Sequence, residues 1–181
     1  MRIEDFVAKY KRLPAIVVSH LQRGFAVWNN MTVPGEIRYR PEQQRVVYPS
    51  YPRIRLHRDW HTKRMGCWAP YNGLWVYPTA FYRSYWNLAT SEGIGHWCHE
   101  LWHVARRRKI GRTRTTMEYV GAALLWLTPG RKWHDAAFEQ HAKAFGDQIA
   151  AAIEADPKWK HRLYQDVMPR IVDKSWDKRD L

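Results

Sequence analysis

The chain has 181 residues, with 30 Lys plus Arg against 17 Asp plus Glu, and its formal charge is +13 with the 9 histidines neutral. This length suits one domain, and an apolar fraction of 45% is enough for a packed core, which excludes an intrinsically disordered chain. The composition also includes 11 Trp and 10 Tyr. Aromatic faces together with positive charge are typical of proteins that hold phosphate backbones and stacked bases.

The sequence contains no visible export or membrane signal. Its first residues carry charge on both sides of a short apolar run, and the longest apolar stretch, 120–127, is far shorter than the roughly 20 residues of a membrane helix. Two cysteines, Cys67 and Cys98, are too few for a disulfide framework. We therefore expect a cytoplasmic protein with reduced cysteines and no membrane partner.

The first part of the chain predicts one short helix followed by strands. Residues 4–12 place apolar side chains at helical spacing before Pro14. Residues 15–80 then predict mainly strands and loops. The strand signals in this range are hairpin arms at 36–40 and 45–49, an alternating segment at 53–57, and a strand after the turn signal at Asn72 and Gly73.

After Pro78 the apolar spacing changes to about 3.6 residues, which predicts helices over most of 81–181. Thr90 or Ser91 can cap a helix that ends before Gly111. Further helices are predicted at 115–127, 133–155 and after Pro157. The resulting fold class is α+β in a single domain over residues 1–181, with a small antiparallel or mixed sheet followed by helices.

Residues 99–103 read His-Glu-Leu-Trp-His, the HExxH pattern, within the first long helix. Residues four apart lie on one helix face, so His99 and His103 can bind a single zinc ion. Glu100 is near enough to reach a water on that metal and to act as the general base in amide hydrolysis. Composition alone predicts roughly 0.02 chance occurrences of the pattern. A metal site is therefore favoured over a surface helix that happens to carry two histidines.

A catalytic zinc site usually has a third protein ligand. The metzincin pattern places a histidine six residues after the second one, but Lys109 stands there. We predict Glu118 instead, because it leads the apolar segment EYVGAALLWL, where a carboxylate needs solvent or a partner. The helix dipole offers another reason for an acid at this position. Alternative ligands lie on the following helix: Asp135, Glu139 and His141.

These segments resemble gluzincin-type zincins, and more closely the metallopeptidase-like domain of plasmid antirestriction proteins of the ArdC type. In that family an HELxH helix precedes a helix of the form EELVAELGAA. Here HELWH precedes a basic loop and MEYVGAALL, and the segment Tyr51 to Arg83 is similar to the family's strand segment, so the resemblance covers roughly 50–127.

The resemblance to this family implies a zincin-like fold, a Zn²⁺ cofactor and a protein or peptide substrate, with a gene of phage or plasmid origin. By motif matching it implies zinc ligands at His99, His103 and Glu118 and a catalytic glutamate at Glu100. The function implied is that of a zinc-dependent metallopeptidase.

A dense basic run follows the motif helix. Its six cations within nine residues exceed what a helix C-terminus needs, and we expect them to bind DNA or another polyanion through phosphate contacts. They are Arg106, Arg107, Arg108, Lys109, Arg112 and Arg114, with help from Arg53, Arg55, Arg58 and Lys63. The alternative function is therefore a DNA-binding or antirestriction protein that uses a zincin scaffold without catalysis.

For several other residues we expect core packing or a surface position instead of metal binding. Trp97, Trp102, Trp126 and Cys98 should pack in the core, while His96 should be a packed or solvated histidine. The pair at His57 and His61 lies in a segment that predicts strand and loop, which favours surface histidines over metal ligands.

An oxyanion donor is also required for hydrolysis, and the candidates are Tyr85, Arg106 and Tyr119.

Overall fold

The structure, a computed structural model, describes residues 3–29, 48–49, 52–70 and 73–173. Over these ranges the fold is α+β, as predicted, with seven α-helices and a small three-stranded sheet. None of the described helices is both long and apolar enough to cross a membrane. In chain order the elements are α1 (Ile3–Tyr10), α2 (Ala15–Asn29), β1 (Arg53–Leu56), α3 (Trp60–Met65), β2 (Cys67–Trp68), β3 (Gly73–Val76), α4 (Ser91–Ile110), α5 (Arg112–Trp126), α6 (Ala137–Ala155) and α7 (Pro157–Asp173).

The sheet is mixed and has the strand order β1-β3-β2, with β1 parallel and β2 antiparallel to β3. Because side chains alternate along a strand, each strand sends every second residue to the same side. The inner side packs toward α4. Its buried side chains are Ile54, Cys67, Leu74 and Val76.

The prediction of strands and loops over 15–80 was wrong at two places, since residues 15–29 form helix α2 and residues 60–65 form helix α3. The β-branched residues at 16–18 favour a strand locally. The buried side chains of α2 nevertheless repeat at helical spacing, as Val17, Leu21, Phe25 and Trp28. Strands are present at 53–56 and 73–76, as predicted, while Asn72 and most of the predicted hairpin at 36–49 lie outside the described residues.

Helix α4 begins and ends where its capping residues predict. The Thr90 hydroxyl accepts a hydrogen bond from the N–H of Gly93 at 3.0 Å, and Gly111 closes the helix with a φ of +85°. That conformation favours glycine because a Cβ would be strained there. The next helix starts earlier than predicted, at Arg112, and α6 starts later, after a short 3₁₀ turn at Trp133–Asp135.

Helices α4 and α6 pack antiparallel along their length, around two glycines. A Cβ built on Gly146 would lie 2.6 Å from the carbonyl oxygen of Gly95, and the reverse distance is also 2.6 Å. Near one end, Ser91 donates a hydrogen bond to Glu154, and near the other the His103 ring lies 5.9 Å from the ring of Phe138. Because both glycines lack side chains, the two backbones touch, and this contact sets the register of α6 on α4.

The tryptophans divide between core and surface. Trp97, Trp102 and Cys98 are fully buried, as predicted. The prediction that Trp126 packs in the core was wrong, because its side chain is 61% exposed. Trp126 ends α5, which buries only a narrow face against the core. Other large apolar residues in or just after this helix are exposed as well: Met117, Val120, Leu124 and Leu127.

The glycine contact predicts opposite effects for two substitutions of the same type. We expect Gly146→Ala to lower the free energy of unfolding by about 1–3 kcal/mol, because the added methyl group forces the α4 backbone away. A Cβ at Gly121 in α5 meets no atom within 4 Å. Gly121→Ala should therefore stabilise the chain by up to about 1 kcal/mol through helix propensity. Urea unfolding followed by circular dichroism measures both, and shifts in the same direction would contradict the close contact.

Candidate metal centre

The two histidines of the motif meet a carboxylate from α6. His99 Nε2 and His103 Nε2 lie 3.2 Å apart. Glu139 places one oxygen 3.4 Å from His99 Nε2 and the other 3.6 Å from His103 Nε2. Among the described residues, this is the group of three that could hold a metal ion, with all ligand atoms within 4.8 Å of one another.

The contact distances within this cluster are of the size found between the ligand atoms of a tetrahedral ion. Zinc–ligand bonds of about 2.0–2.2 Å place the ligand atoms of a tetrahedron roughly 3.3–3.6 Å apart. The Nε2 atoms of His99 and His103 are 3.2 Å apart, and each has a different Glu139 oxygen near it, Oε2 at 3.4 Å from His99 and Oε1 at 3.6 Å from His103. Glu139 is also fixed from outside, because the indole N–H of Trp133 donates to its Oε1 at 3.0 Å. Such outer contacts orient metal ligands. Two imidazoles and one carboxylate leave a fourth position for water or substrate.

The surroundings set the protonation states that a metal site needs. Burial lowers the pKa of His99 and so favours the neutral imidazole, which is the form that binds metals. For Glu139, burial alone would raise the pKa, but the hydrogen bonds of His103 and His99 oppose this and hold the pKa well below its usual range. The carboxylate is therefore ionised.

Glu100 lies beside this cluster, with its Oε1 4.0 Å from His99 Nε2. Burial raises the pKa of Glu100 well above its ordinary value, the charge of Glu139 adds to the effect, and a hydrogen bond from the backbone N–H of Ala69 opposes it. The segment after β2 is held here by a second bond, from Arg107 Nη1 to the carbonyl of Pro70 at 3.3 Å. The carboxyl group of Glu100 thus has a fixed position next to the candidate ligands.

The predicted third ligand, Glu118, lies elsewhere. Its two oxygens accept hydrogen bonds from Arg106, one of them at 2.8 Å from Nη2, and Arg114 Nε lies 3.8 Å from Oε1. The acid at the start of the apolar segment does have a partner, as expected, but the partner is an arginine. Glu139, one of the alternatives, takes the place beside the histidines.

The other two alternatives have structural roles. Asp135 accepts a hydrogen bond from the backbone N–H of Lys132 at 2.8 Å and so closes the 3₁₀ turn. His141 is buried with its ring 6.2 Å from that of Trp102, and burial, helped by the charge of Arg106, lowers the pKa of His141 to about 4. His96 hydrogen-bonds the carbonyl of Glu92 at 2.9 Å through Nδ1, which agrees with a packed histidine.

The basic run divides into buried and exposed members. Arg106 and Arg107 are buried and hold Glu118 and the Pro70 carbonyl. Neither presents its guanidinium as an open phosphate site, which corrects the expectation for these two. The exposed members are Arg108, Lys109, Arg112 and Arg114.

Of the three candidate oxyanion donors, Tyr119 is the best supported, because it is half-buried and its hydroxyl stays protonated. Arg106 is already paired with Glu118. Tyr85 is 51% exposed and lies on His96. Tyr119 is half-buried against Phe138, with ring centroids 4.8 Å apart. Burial, with smaller contributions from the charges of Glu139 and Glu100, raises the pKa of Tyr119 to about 12. Its hydroxyl is therefore a proton donor at neutral pH.

The sequence carries a signal that agrees with Glu139 but does not single it out, since Gly121 stands three residues after Glu118 in a similar way. Gly95 lies four residues before His99, and Gly146 lies seven residues after Glu139. Both spacings put the glycine on the same helix face as the ligand. Two helices that each carry a small residue and a metal-binding side chain on one face are suited to pack together there.

Two glutamine variants separate the candidate ligands. We expect Glu139→Gln to weaken Zn²⁺ binding by roughly 100-fold or more, since even contacts outside the ligand sphere are worth 10–100-fold. Glu118→Gln should leave the affinity nearly unchanged but lower thermal stability, because Arg106 would stay buried without its carboxylate. Isothermal titration with ZnCl₂ and thermal melts measure the two effects. Equal losses of affinity would show that the ligand assignment is wrong.

Comparison of the chain with known proteins found no match to a protein family, to a curated protein or to a solved structure. The zincin resemblance therefore depends on the residues of the motif and its neighbours. The geometry of the cluster is the independent observation on which a function can be proposed.

Proposed function

We propose that this chain is a zinc-dependent metallopeptidase of the zincin type. The observation that carries the proposal is the cluster of two imidazole nitrogens and one carboxylate, with separations of 3.2–3.6 Å, next to the buried Glu100. In this proposal His99, His103 and Glu139 hold the metal and Glu100 is the general base. Glu139 thus replaces Glu118 in the ligand set that the resemblance implies.

The donor set supports zinc over other common metals. Imidazole nitrogen suits zinc, copper, iron and nickel, whereas magnesium and calcium prefer oxygen ligands. Two histidines, one glutamate and an open position form a recognised catalytic zinc arrangement. When bound there, zinc polarises a scissile carbonyl and lowers the pKa of a water molecule toward neutrality.

The side chains of this chain then have defined tasks. Glu100 accepts the proton of the attacking water at a carboxylate oxygen and returns it to the nitrogen of the leaving amine. A cation at the cluster favours the ionised form of Glu100, against the burial and the Glu139 charge that raise its pKa. Tyr119 donates its hydroxyl proton in a hydrogen bond to the oxyanion that develops on the carbonyl oxygen.

The alternative function, a DNA-binding protein on an inactive zincin scaffold, has less support from the predicted basic run. Arg106 and Arg107 are committed to contacts inside the protein. A second argument concerns Glu100, whose burial beside the ligands is costly for stability and is useful for proton transfer. An antirestriction role remains a prediction from the resemblance.

The proton-transfer role is tested by Glu100→Gln. We expect this variant to retain Zn²⁺ binding and to lose about 10²–10⁴-fold in peptide hydrolysis, because the amide cannot accept the proton. The assay uses a fluorogenic peptide library and denatured casein, with the metal-stripped and zinc-restored wild type as controls. Hydrolysis that survives the substitution, or that is insensitive to metal removal, would refute the mechanism.

Tyr119→Phe tests the oxyanion contact. We expect kcat to fall about 10²–10³-fold with little change in KM, since the hydrogen bond forms in the transition state. Tyr85→Phe is the matched control, as that phenol is half exposed and packs on His96. A loss confined to the Tyr85 variant would assign the donor to that residue instead.

A further inference from the structure

Helix α5 carries an apolar stripe on the side that faces away from the core. Its members follow one another at intervals of three, four and three residues, and we call Met117, Val120, Leu124 and Leu127 the α5 stripe. Leu127 directly follows α5 and continues its turn, because its N–H donates to the carbonyl of Ala123 at 3.3 Å. Intervals of three and four residues place side chains in a row along one side of a helix.

The α5 stripe is exposed along its whole length. Each of its side chains is more than half exposed, up to 70% for Met117 and 77% for Leu127. Two buried residues of the same helix, Thr115 and Ala122, lie on the opposite side. A row of large apolar side chains is rare on the surface of a soluble domain and marks an interaction site.

Small residues border the α5 stripe on both sides. Thr116 and Ala123 lie along one border and Gly121 along the other. A Cβ built on Gly121 would meet no atom within 4 Å. Because short side chains let helix axes approach closely, a second helix can lie along the stripe and place its own apolar side chains between these residues. The spacing of the stripe is that of the anchor positions by which one helix binds another.

Positive charge stands at both ends of the α5 stripe. Arg112 and Arg114 precede it, Arg131 and Lys132 follow it, and all four residues are exposed. The carboxylate of Glu118 accepts hydrogen bonds from Arg106, and no other acidic residue occurs between 111 and 132. The charge that surrounds the stripe is therefore of one sign.

We propose that the α5 stripe binds an amphipathic helix of an acidic partner protein. The partner helix has apolar residues at intervals of three and four and has Asp or Glu residues near both of its ends. Opposite charges at an interface steer association and select the partner. The apolar contact then supplies most of the affinity.

The charges disfavour a second copy of this chain as the occupant. In an antiparallel pair of α5 helices Arg112 would lie near Arg131 of the other copy, and in a parallel pair it would lie near its own counterpart. Each chain also carries a formal charge of +13. Apposed like charges cost affinity. An acidic helix from a different protein meets the same surface without this cost.

The α5 stripe is separate from the candidate metal centre. Tyr119 belongs to the same helix, but its ring packs on Phe138, with centroids 4.8 Å apart, on a different side from the stripe. The docking proposal therefore does not rest on the proposed hydrolysis. Removal of divalent metal with a chelator should leave the affinity for an acidic helix unchanged, so failure of one proposal can be told from failure of the other.

Fluorescence anisotropy with a labelled acidic peptide tests the apolar contact. The peptide has three heptads, with Leu at both seam positions and Glu at the flanking positions. We expect Met117→Gln to weaken its binding roughly tenfold. The matched control is Met65→Gln in α3, which changes a methionine that is 44% exposed outside the α5 stripe. Circular dichroism verifies that both variants are folded. Equal affinities of the two variants, or no binding by the wild type, would overturn the proposal.

A second peptide separates docking from general attraction between opposite charges. It keeps every Glu but has Ser in place of Leu, so its charge is the same and its apolar seam is lost. We expect it to bind the wild type at least roughly tenfold more weakly than the first peptide. Equal binding of the two peptides would refute docking on the α5 stripe.

The association rate tests the charges at the two ends. We expect Arg112→Gln combined with Arg131→Gln to slow association of the first peptide several-fold at low salt. Arg58→Gln combined with Arg64→Gln removes the same charge from exposed positions elsewhere and should have a smaller effect. Equal slowing by the two double variants would show that net charge alone attracts the peptide, which contradicts the assignment.

Two further measurements address other occupants of the α5 stripe. Sedimentation velocity should show a monomer, and a dimer that Met117→Gln dissociates would assign the stripe to a second copy instead. The chain should not float with vesicles of phosphatidylcholine and phosphatidylserine. Flotation that Met117→Gln abolishes and Met65→Gln preserves would assign the stripe to a lipid surface and overturn the proposal.

Discussion

The direct backbone contact between Gly95 and Gly146 is the constraint on which the candidate centre depends. It sets how far α6 lies along α4, and through that register the carboxylate of Glu139 reaches both imidazoles. A third glycine supports the arrangement from α2, because a Cβ at Gly24 would lie 3.0 Å from Ile149 Cγ2 and 3.2 Å from Cys98 Sγ. Three helices therefore pack closely at glycines. The proposed ligands consequently have little freedom to move apart.

The polar groups inside this helix packing are expensive to bury. His99, Glu100, His103 and Glu139 are withdrawn from water in a small volume, and two carboxylates lie close together. Burial of such a group of side chains costs free energy of folding unless each charge has a partner. The pair of Arg106 with Glu118 on the adjacent helices follows the same rule and makes α5 part of the support. A cation held by the proposed ligands would offset the charge of the two carboxylates.

The excess positive charge is spread over places with different physical roles. Part of it is internal, where Arg106 and Arg107 tie α4 to α5 and to the segment after β2. Another part lies beside the partly exposed aromatic rings on the outer side of the sheet and beside the exposed Trp60 of α3. The tryptophans divide likewise, since Trp97 and Trp102 fill the core while Trp60 faces solvent. Composition alone cannot assign these roles, because both classes use the same residue types.

The sequence by itself determined what depends on local physics. The caps at Thr90 and Gly111, the spacing of His99 and His103 on one face, and the α+β class all follow from periodicity and backbone preference. Tertiary packing decided the rest. Helix α2 forms because its apolar face meets α4, α6 and α7 despite a local strand preference. Glu139 rather than Glu118 lies beside the histidines because the meeting of two distant helices is set by their glycines, a contact between residues 95 and 146 that no local pattern encodes.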